Sequence, residues 1–589
     1  MGLSRLLLFV AIVAIPMRGQ KPPANIAAAK VALTNGLSAI QQGNLEVARR
    51  DFEQVVKLAP QVETGHAALG SVLLSLNQFD AAVSELQTAH RLSPTDLAVD
   101  LNLGRAQTGL GHYEAALAAF RENAAEANPL PLSPEESLAA ATALAGTNQV
   151  AAAIDFLRAA LQQTPESALL NDGLGTALAQ SGDLERALPS FEKAVAADPS
   201  MAKAQLHLAA AYLMLSRPKE AIGPASIAAH SLPNSFDAQL QLGRSLSALH
   251  RDTEALEPLH RAAQLGTASQ SPDAMYELAL ALQASGDAKA ALPVFARVTT
   301  SPKGSFNQGA ALTNYALALV QTGDAAAALQ LYAKALAAGP DTATLREDYG
   351  AAYLQKADLV DAVAQFNAGL QIEPDNAHLH YDLGLAYKLK DDLAAAVPEF
   401  ERAAALDTTL PDPVYTLGVI YMQQGKYPEA ISNLRRATTL QPTNGDAWAL
   451  LGGVLKDSGD APAAADALRH AIDLQPDQPS LHIQLATLDA QAGRTADAAA
   501  ERKIAADLSR AAMSRQRAEF ALKSGRTLLE QNKLPEAIYQ LTVAIGADPA
   551  LAAPHHLLAE AYTRQGKAVE AALEEKQAAK LDVAGSHPQ

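Results

Sequence analysis

Residues 377–410 read AHLHYDLGLAYKLKDDLAAAVPEFERAAALDTTL, and this stretch decides the fold. Leu383, Gly384 and Tyr387 lie in its first half; Ala396, Phe400 and Ala403 lie in its second. Within each half the apolar residues recur at i, i+3, i+4 and i+7, which is one face of a helix. The next unit holds Leu417, Gly418, Tyr421, Ala430, Leu434 and Ala437 in the same places. The one after holds Leu451, Gly452, Leu455, Ala464, Leu468 and Ala471, with Trp448 on its first turn. Earlier in the chain the set returns as Leu69, Gly70, Leu73, Ala82, Leu86, Ala89, and as Leu174, Gly175, Leu178, Ala187, Phe191, Ala194.

Prolines keep the same period. Pro60 and Pro94 are 34 residues apart, as are Pro165, Pro199 and Pro233, then Pro340 and Pro374, then Pro442 and Pro476. A period of this length marks an array of small structural units. Each unit is predicted to be two antiparallel helices. A glycine-bearing segment such as Gln180–Asp183, Gln424–Lys426 or Asp457–Asp460 stops the first helix, and the proline ends the second. Gly384, Gly418 and Gly452, with Ala396, Ala430 and Ala464 opposite, let the two helices cross closely. One pair cannot bury its apolar face alone, so neighbours must stack.

Leu383-Gly384…Tyr387 followed by Ala396…Phe400 closely resembles the tetratricopeptide repeat. About 16 units fit, starting at residues 29, 63, 97, 134, 168, 202, 236, 272, 309, 343, 377, 411, 445, 479, 518 and 552. The resemblance implies an all-α fold: a right-handed superhelical solenoid of antiparallel helix pairs, its concave groove lined by first helices. It also implies the usual role of holding a peptide, helix or partner domain. Units 236, 272 and 479 lack the terminal proline in register. Arg502–Arg517 reads as a lengthened second helix, and the insert around Pro129–Pro134 interrupts the stack. Glu574 and Glu575 stand near places usually apolar, which suits a solvent-facing cap.

Composition excludes several function classes. The 589 residues are 49% hydrophobic but only 5% aromatic, which suits many thin helical cores rather than one large one. The net charge of −17 disfavours nucleic acid as a partner. With no cysteine there is no disulfide, thiolate metal site or Cys nucleophile. No phosphate-binding glycine loop, Gly-x-Ser-x-Gly or His-Glu-x-x-His is present. His378 and His380 are two apart on a helix and point to different faces; His555 and His556 are adjacent. Neither pair suits a metal. Asp391 and Asp392 sit at a helix junction, where carboxylates cap. The expectation is a non-enzyme with no cofactor and no metal.

The layout expected is a signal peptide at 1–20, a linker at 21–28, repeats at 29–267, 272–512 and 518–581, and a tail at 582–589. Arg5 precedes the apolar run Leu6–Ile15, which Pro16 ends. A basic start and a short apolar run read as an export signal, and ten apolar residues are too few to span a bilayer. Membrane association is expected to be peripheral at most, or through a partner. The expected location is periplasmic or extracellular.

The second and sixth places of each unit are expected on the concave side. From unit 236 to unit 445 they include Asp237, Asp273, Glu277, Asp348, Asp382, Asp412 and Asp446, with no Lys or Arg. Tyr276, Tyr381 and Tyr415 lie beside them, and Gln241 and Asn314 occupy further sixth places. First-turn carboxylates also favour a helix N-terminus, so part of this bias is ordinary. The candidate groove is therefore Asp237, Gln241, Asp273, Tyr276, Glu277, Asn314, Asp348, Tyr381, Asp382 and Tyr415, with Asp348 and Asp382 expected exposed. It suits a protein or peptide ligand with a basic segment. Two functions fit: an exported scaffold in cell-envelope assembly or secretion, or a glycan-holding arm of an export machinery. The export signal is checked by fractionating tagged full-length protein against a form lacking residues 1–20. Only the former should leave the cytoplasm; equal retention of both removes the signal.

Overall fold

The computed structural model describes residues 24–125, 130–301 and 306–585. The expected signal peptide lies outside these residues. Everything regular within them is helix. Helices of 12 to 14 residues alternate from Leu45–Leu58 to Ala325–Ala338 and from Ala343–Gln355 to Pro479–Gln491, each packed antiparallel on the next within its run, and no described helix is long and apolar enough to cross a membrane. Two helix bounds differ from expectation. The first described helix, Ala24–Gln41, begins inside the segment expected as linker, and the last, Ala568–Gly585, runs into the expected tail.

The chain divides into two compact units, 1–340 and 341–589. The chain is also continuous where the repeats were expected to pass from one part to the next, near 267–272 and 512–518. At the first, the Ser271 hydroxyl donates to the Ala263 carbonyl at 2.7 Å, and Gly266 sits against the Phe236 ring. At the second, one 36-residue helix, Thr495–Glu530, carries the chain across without a turn. The division falls after Gly339–Pro340. The 129–134 insert lies partly outside the described residues. Its end is pinned, because Asn123 exchanges hydrogen bonds with both the N–H and the C=O of Leu130, and Ser133 with Glu136 forms a capping box.

Each pair is built around one close crossing. A Cβ on Gly384 would lie 2.8 Å from the Phe400 ring; on Gly418, 2.6 Å from Leu434 Cγ; on Gly452, 2.7 Å from Leu468 Cγ. These distances leave no space for a side chain. The opposing Ala396, Ala430 and Ala464 are fully buried. Between the helices, Gly425 and Gly459 adopt positive φ, and the next residue's N–H reaches back five residues, as from Asp460 to the Leu455 carbonyl at 2.9 Å. That same Asp460 then caps the second helix by accepting from Ala463 N–H. Asp183 and Asp392 do likewise.

The loop between units is held from the first helix that follows it. His66, His380 and His482 each donate from Nε2 to a proline carbonyl six residues back, at 3.0–3.2 Å. Trp448, Asn171 and Gln205 make the equivalent bond. The Nδ1 of each of those histidines meets a glutamate 19 residues on, at 2.6 Å. His555 pairs with Glu574 in the same way, so Glu574 is a half-buried partner and not a solvent-facing cap.

Replacing Gly418 with Leu forces a side chain into the space Leu434 occupies, at a cost of about 1–3 kcal/mol. Repeat stability is close to local, so limited proteolysis should cut first within 411–444. Unchanged melting and digestion would show that this crossing is not close-packed.

Candidate inner face of the first helices

In both compact units, first helices touch the first helix of the next pair directly, for example 236–247 on 271–284 and 343–355 on 377–389. Their facing sides carry the polar candidates. A rule emerges among them: the sixth place of a unit bonds back to the fifth or ninth place of the unit before. Asn102 donates to the Ser71 hydroxyl at 3.2 Å, and His207 pairs with the buried Asp172 at 2.7 Å. Glu277 accepts from Arg244 Nε at 2.9 Å. Asn314 Nδ2 donates to the Tyr276 hydroxyl at 2.9 Å.

This corrects the candidate strip in the first compact unit. Glu277 is not an unopposed charge, because Arg244, at the ninth place, neutralises it. Tyr276 is half-buried against Phe295 and Phe306 with its hydroxyl engaged, and burial pushes that hydroxyl upward from its ordinary value. Asp237 is exposed, and Asp273 and Gln241 are half-buried. These residues largely join neighbouring pairs.

In the second compact unit Tyr381 packs on the Phe400 ring at 5.7 Å beside the Thr416 hydroxyl. Tyr415 is also half-buried. Asp348 and Asp382 are half-buried, not exposed as their sequence places suggested. For Asp382 the back-bonding rule fails: the fifth place of the preceding unit is Glu347, another acid. Burial, then Glu347 and Asp348, push the Asp382 carboxyl up to about 7. Burial, then Glu347, push Asp348 up to about 6, and burial raises Glu347 itself. Arg346, next in sequence to Glu347, is turned away onto Asp341 and Gln365, and the basic side chain acting on the cluster is His378, which favours the Glu347 carboxylate. Among the described residues no cation pairs with Asp348 or Asp382. Glu347 was missed by sequence because fifth places were read only for tyrosine.

Sequence reading also missed a cleft of about 460 Å³ in the first compact unit, between the first helices starting at 134, 168 and 202. Ala141, Ala145, Gly146, Gly173 and Ala177 line it, with Lys203 and His207 at its edge. Small residues forming a cleft carry no chemistry in a sequence; only the stacking reveals the space. A second group missed is His90, Asp100 and Glu122, whose ligand atoms lie within 4.8 Å of one another. His90 Nδ1 is hydrogen-bonded to Asp100 at 2.7 Å, which accounts for the buried carboxylate. The histidines weighed from sequence are engaged too, His380 by Glu399 and the Pro374 carbonyl, His556 by Glu575 and Asp582.

Asp348 and Asp382 bind protons more tightly folded than unfolded. Folding therefore takes up protons from the ordinary aspartate value of 3.8 to about 7, and stability falls as pH rises through that window. Asp382→Asn should stabilise the chain at pH 8 by about 1–2 kcal/mol, allowing for solvent screening at this half-exposed position. At pH 4 the gain should vanish. Thermal melts at both pH values check this; a loss of stability at pH 8 would mean the charge is compensated.

Family profiles described as tetratricopeptide repeat match residues 33–96, 101–168, 173–236, 313–377 and 415–479, with further matches at 272–297 and 377–409. No curated protein sequence matches the chain. Among solved structures, a crystal structure of MamA is 24% identical over 27% of this chain and 94% of its own, with a TM-score of 0.26. MamA residues 41-end from Desulfovibrio magneticus RS-1 are 20% identical over 29% of this chain and 97% of their own, at 0.28. A chain of the APC/C hetero-tetramer Cut9-Hcn1 is 14% identical over 78% of this chain and 96% of its own, at 0.34. The profile matches span more than half of the sequence: the chain belongs to the tetratricopeptide repeat family, whose helical arrays are non-catalytic protein-interaction modules.

Proposed function

We propose that this chain is an exported scaffold of about 16 repeats that holds a protein or peptide segment against its first helices, with a basic part of that segment at Glu347, Asp348 and Asp382. Export rests on Arg5 and Leu6–Ile15. The binding site rests on one observation: three half-buried carboxylates, Glu347, Asp348 and Asp382, crowd together, whereas Asn102, His207, Glu277 and Asn314 at other sixth places each find a hydrogen-bonding partner in the preceding unit. A Lys or Arg from a ligand relieves that repulsion, and in a partly desolvated site the attraction is stronger than at an open surface. Envelope assembly or secretion is the setting that export and a peptide-holding array suit together. The alternative, a glycan-holding arm, needs free tyrosine faces for sugar stacking. Tyr276 and Tyr381 turn theirs onto Phe295, Phe306 and Phe400, which favours the peptide reading.

The test is a titration with a short peptide alternating Lys and Leu, against one alternating Glu and Leu. The basic peptide should bind and the acidic one should not. Binding should weaken as salt rises and tighten from pH 5.5 to 8, as the carboxyls with values of about 6 and 7 ionise. Asp348→Asn with Asp382→Asn should weaken it roughly tenfold. Binding indifferent to both salt and the double substitution would end the proposal.

A further inference from the structure

The helix Thr495–Glu530 is more than twice the length of the neighbouring helices. Its first part packs on 479–491 and its last part on 534–547. Between Ala505 and Ala518 no side chain is buried. Only Leu508, Ser509 and Ser514 are even half-buried there, and a helix segment so open bridges packed regions or receives something from outside. This one is basic in an acidic protein. Residues 502–526 hold seven Lys or Arg against two acids, in a chain of net charge −17.

The charge is arranged with apolar residues rather than scattered. Arg510, Met513, Arg517 and Phe520 follow at spacings of three, four and three, which places them along one stripe. Met513 is 70% exposed and Phe520 is 75% exposed. Arg510 pairs only with Asp507 of its own helix, and Arg515 and Arg517 have no acidic partner among the described residues. Arginine, methionine and aromatics are the side chains enriched where proteins meet, and anchors at these spacings are how a helix seats in a groove.

We propose that the stripe Arg510–Met513–Arg517–Phe520 docks on the Glu347–Asp348–Asp382 strip of a second copy of this chain. This rests on the acidic strip being a binding site, as argued above, and names its occupant. Charge complementarity makes the match: Asp348 and Asp382 have no paired cation among the described residues, with the His378 imidazole acting on Glu347 alone, while Arg517 has no paired anion and Arg510 only the exposed Asp507. Both belong to the second compact unit, and the two cannot meet within one chain. Six helices, from 393–406 to 479–491, lie between them in a stack where helices meet their first and second neighbours. The contact joins two different surfaces, so it propagates head to tail into a ring or an open chain of copies.

Sedimentation velocity of the full chain at pH 8 tests this. The wild type should form concentration-dependent oligomers at 50 mM salt that dissociate at 500 mM, and dissociate at pH 5 as the carboxyls protonate. Arg510→Glu with Arg517→Glu should be monomeric, as should Asp348→Asn with Asp382→Asn, each with unchanged helical circular dichroism. Mixed together, these two monomeric variants should form a one-to-one dimer and nothing larger, because one retains the strip and the other the stripe. Wild-type oligomers that survive the arginine reversal overturn the inference. So does a wild type that stays monomeric at 50 mM salt while the Lys–Leu peptide still binds the strip, a result that leaves the binding site standing. A monomeric wild type that also ignores the peptide overturns both.

Discussion

The constraint on which the structure depends is the close crossing of two helices within each pair. In many pairs a glycine on the first helix faces a Phe or Leu 16 residues later, as Gly175 faces Phe191 and Gly384 faces Phe400, and in others an alanine such as Ala209 or Ala279 takes its place. The missing Cβ admits the larger side chain, and a fully buried alanine on the second helix removes the remaining obstruction. With the pair so thin, its apolar face is wider than the pair can cover, and the next pair must complete it. The chain therefore reaches 589 residues with one tryptophan and 5% aromatics, because each core is filled by a single ring or leucine and a ring of alanines.

Polar side chains settle how successive pairs meet. The bonds from His66, His380 and His482 to proline carbonyls give the inter-unit loop a fixed partner in the helix that follows it. Contacts such as Asn102 with Ser71, and Arg244 with Glu277, then join first helix to first helix. Against that background Asp382 stands out. It occupies a joining position, yet the groups nearest it are Glu347 and Asp348, so burial and like charge act on it together. A half-buried carboxylate in such surroundings lowers the stability of the free chain near neutral pH, and natural proteins retain such costs chiefly at functional sites.

Much of the fold was legible. The 34-residue spacing of prolines and the recurrence of Leu-Gly on one half and Ala on the other act through neighbours in the same unit, so period and residue type suffice to read them. The polar places on the first helices were legible in position but not in state. The sixth place does lie on the facing side of the first helices. What a sixth-place residue meets, though, is set some 30 residues earlier: Arg244 for Glu277, Tyr276 for Asn314, Glu347 for Asp382. Reading only second and sixth places overlooked Arg244 and made the first strip look more acidic than it is. Glu574 was misread for the same reason, since its partner His555 lies on the other helix of its pair.

The sequence by itself determined the helices, their pairing and the family, because these follow from spacing along the chain and from which residues are small. Only the tertiary structure decided which charges are opposed, how deeply Asp348 and Asp382 are buried, where small residues leave a cleft, and that Arg510 and Phe520 stand uncovered. Burial and charge compensation are properties of neighbours in space. In a stack those neighbours belong to another repeat, one whose residues at the contact the local pattern does not fix.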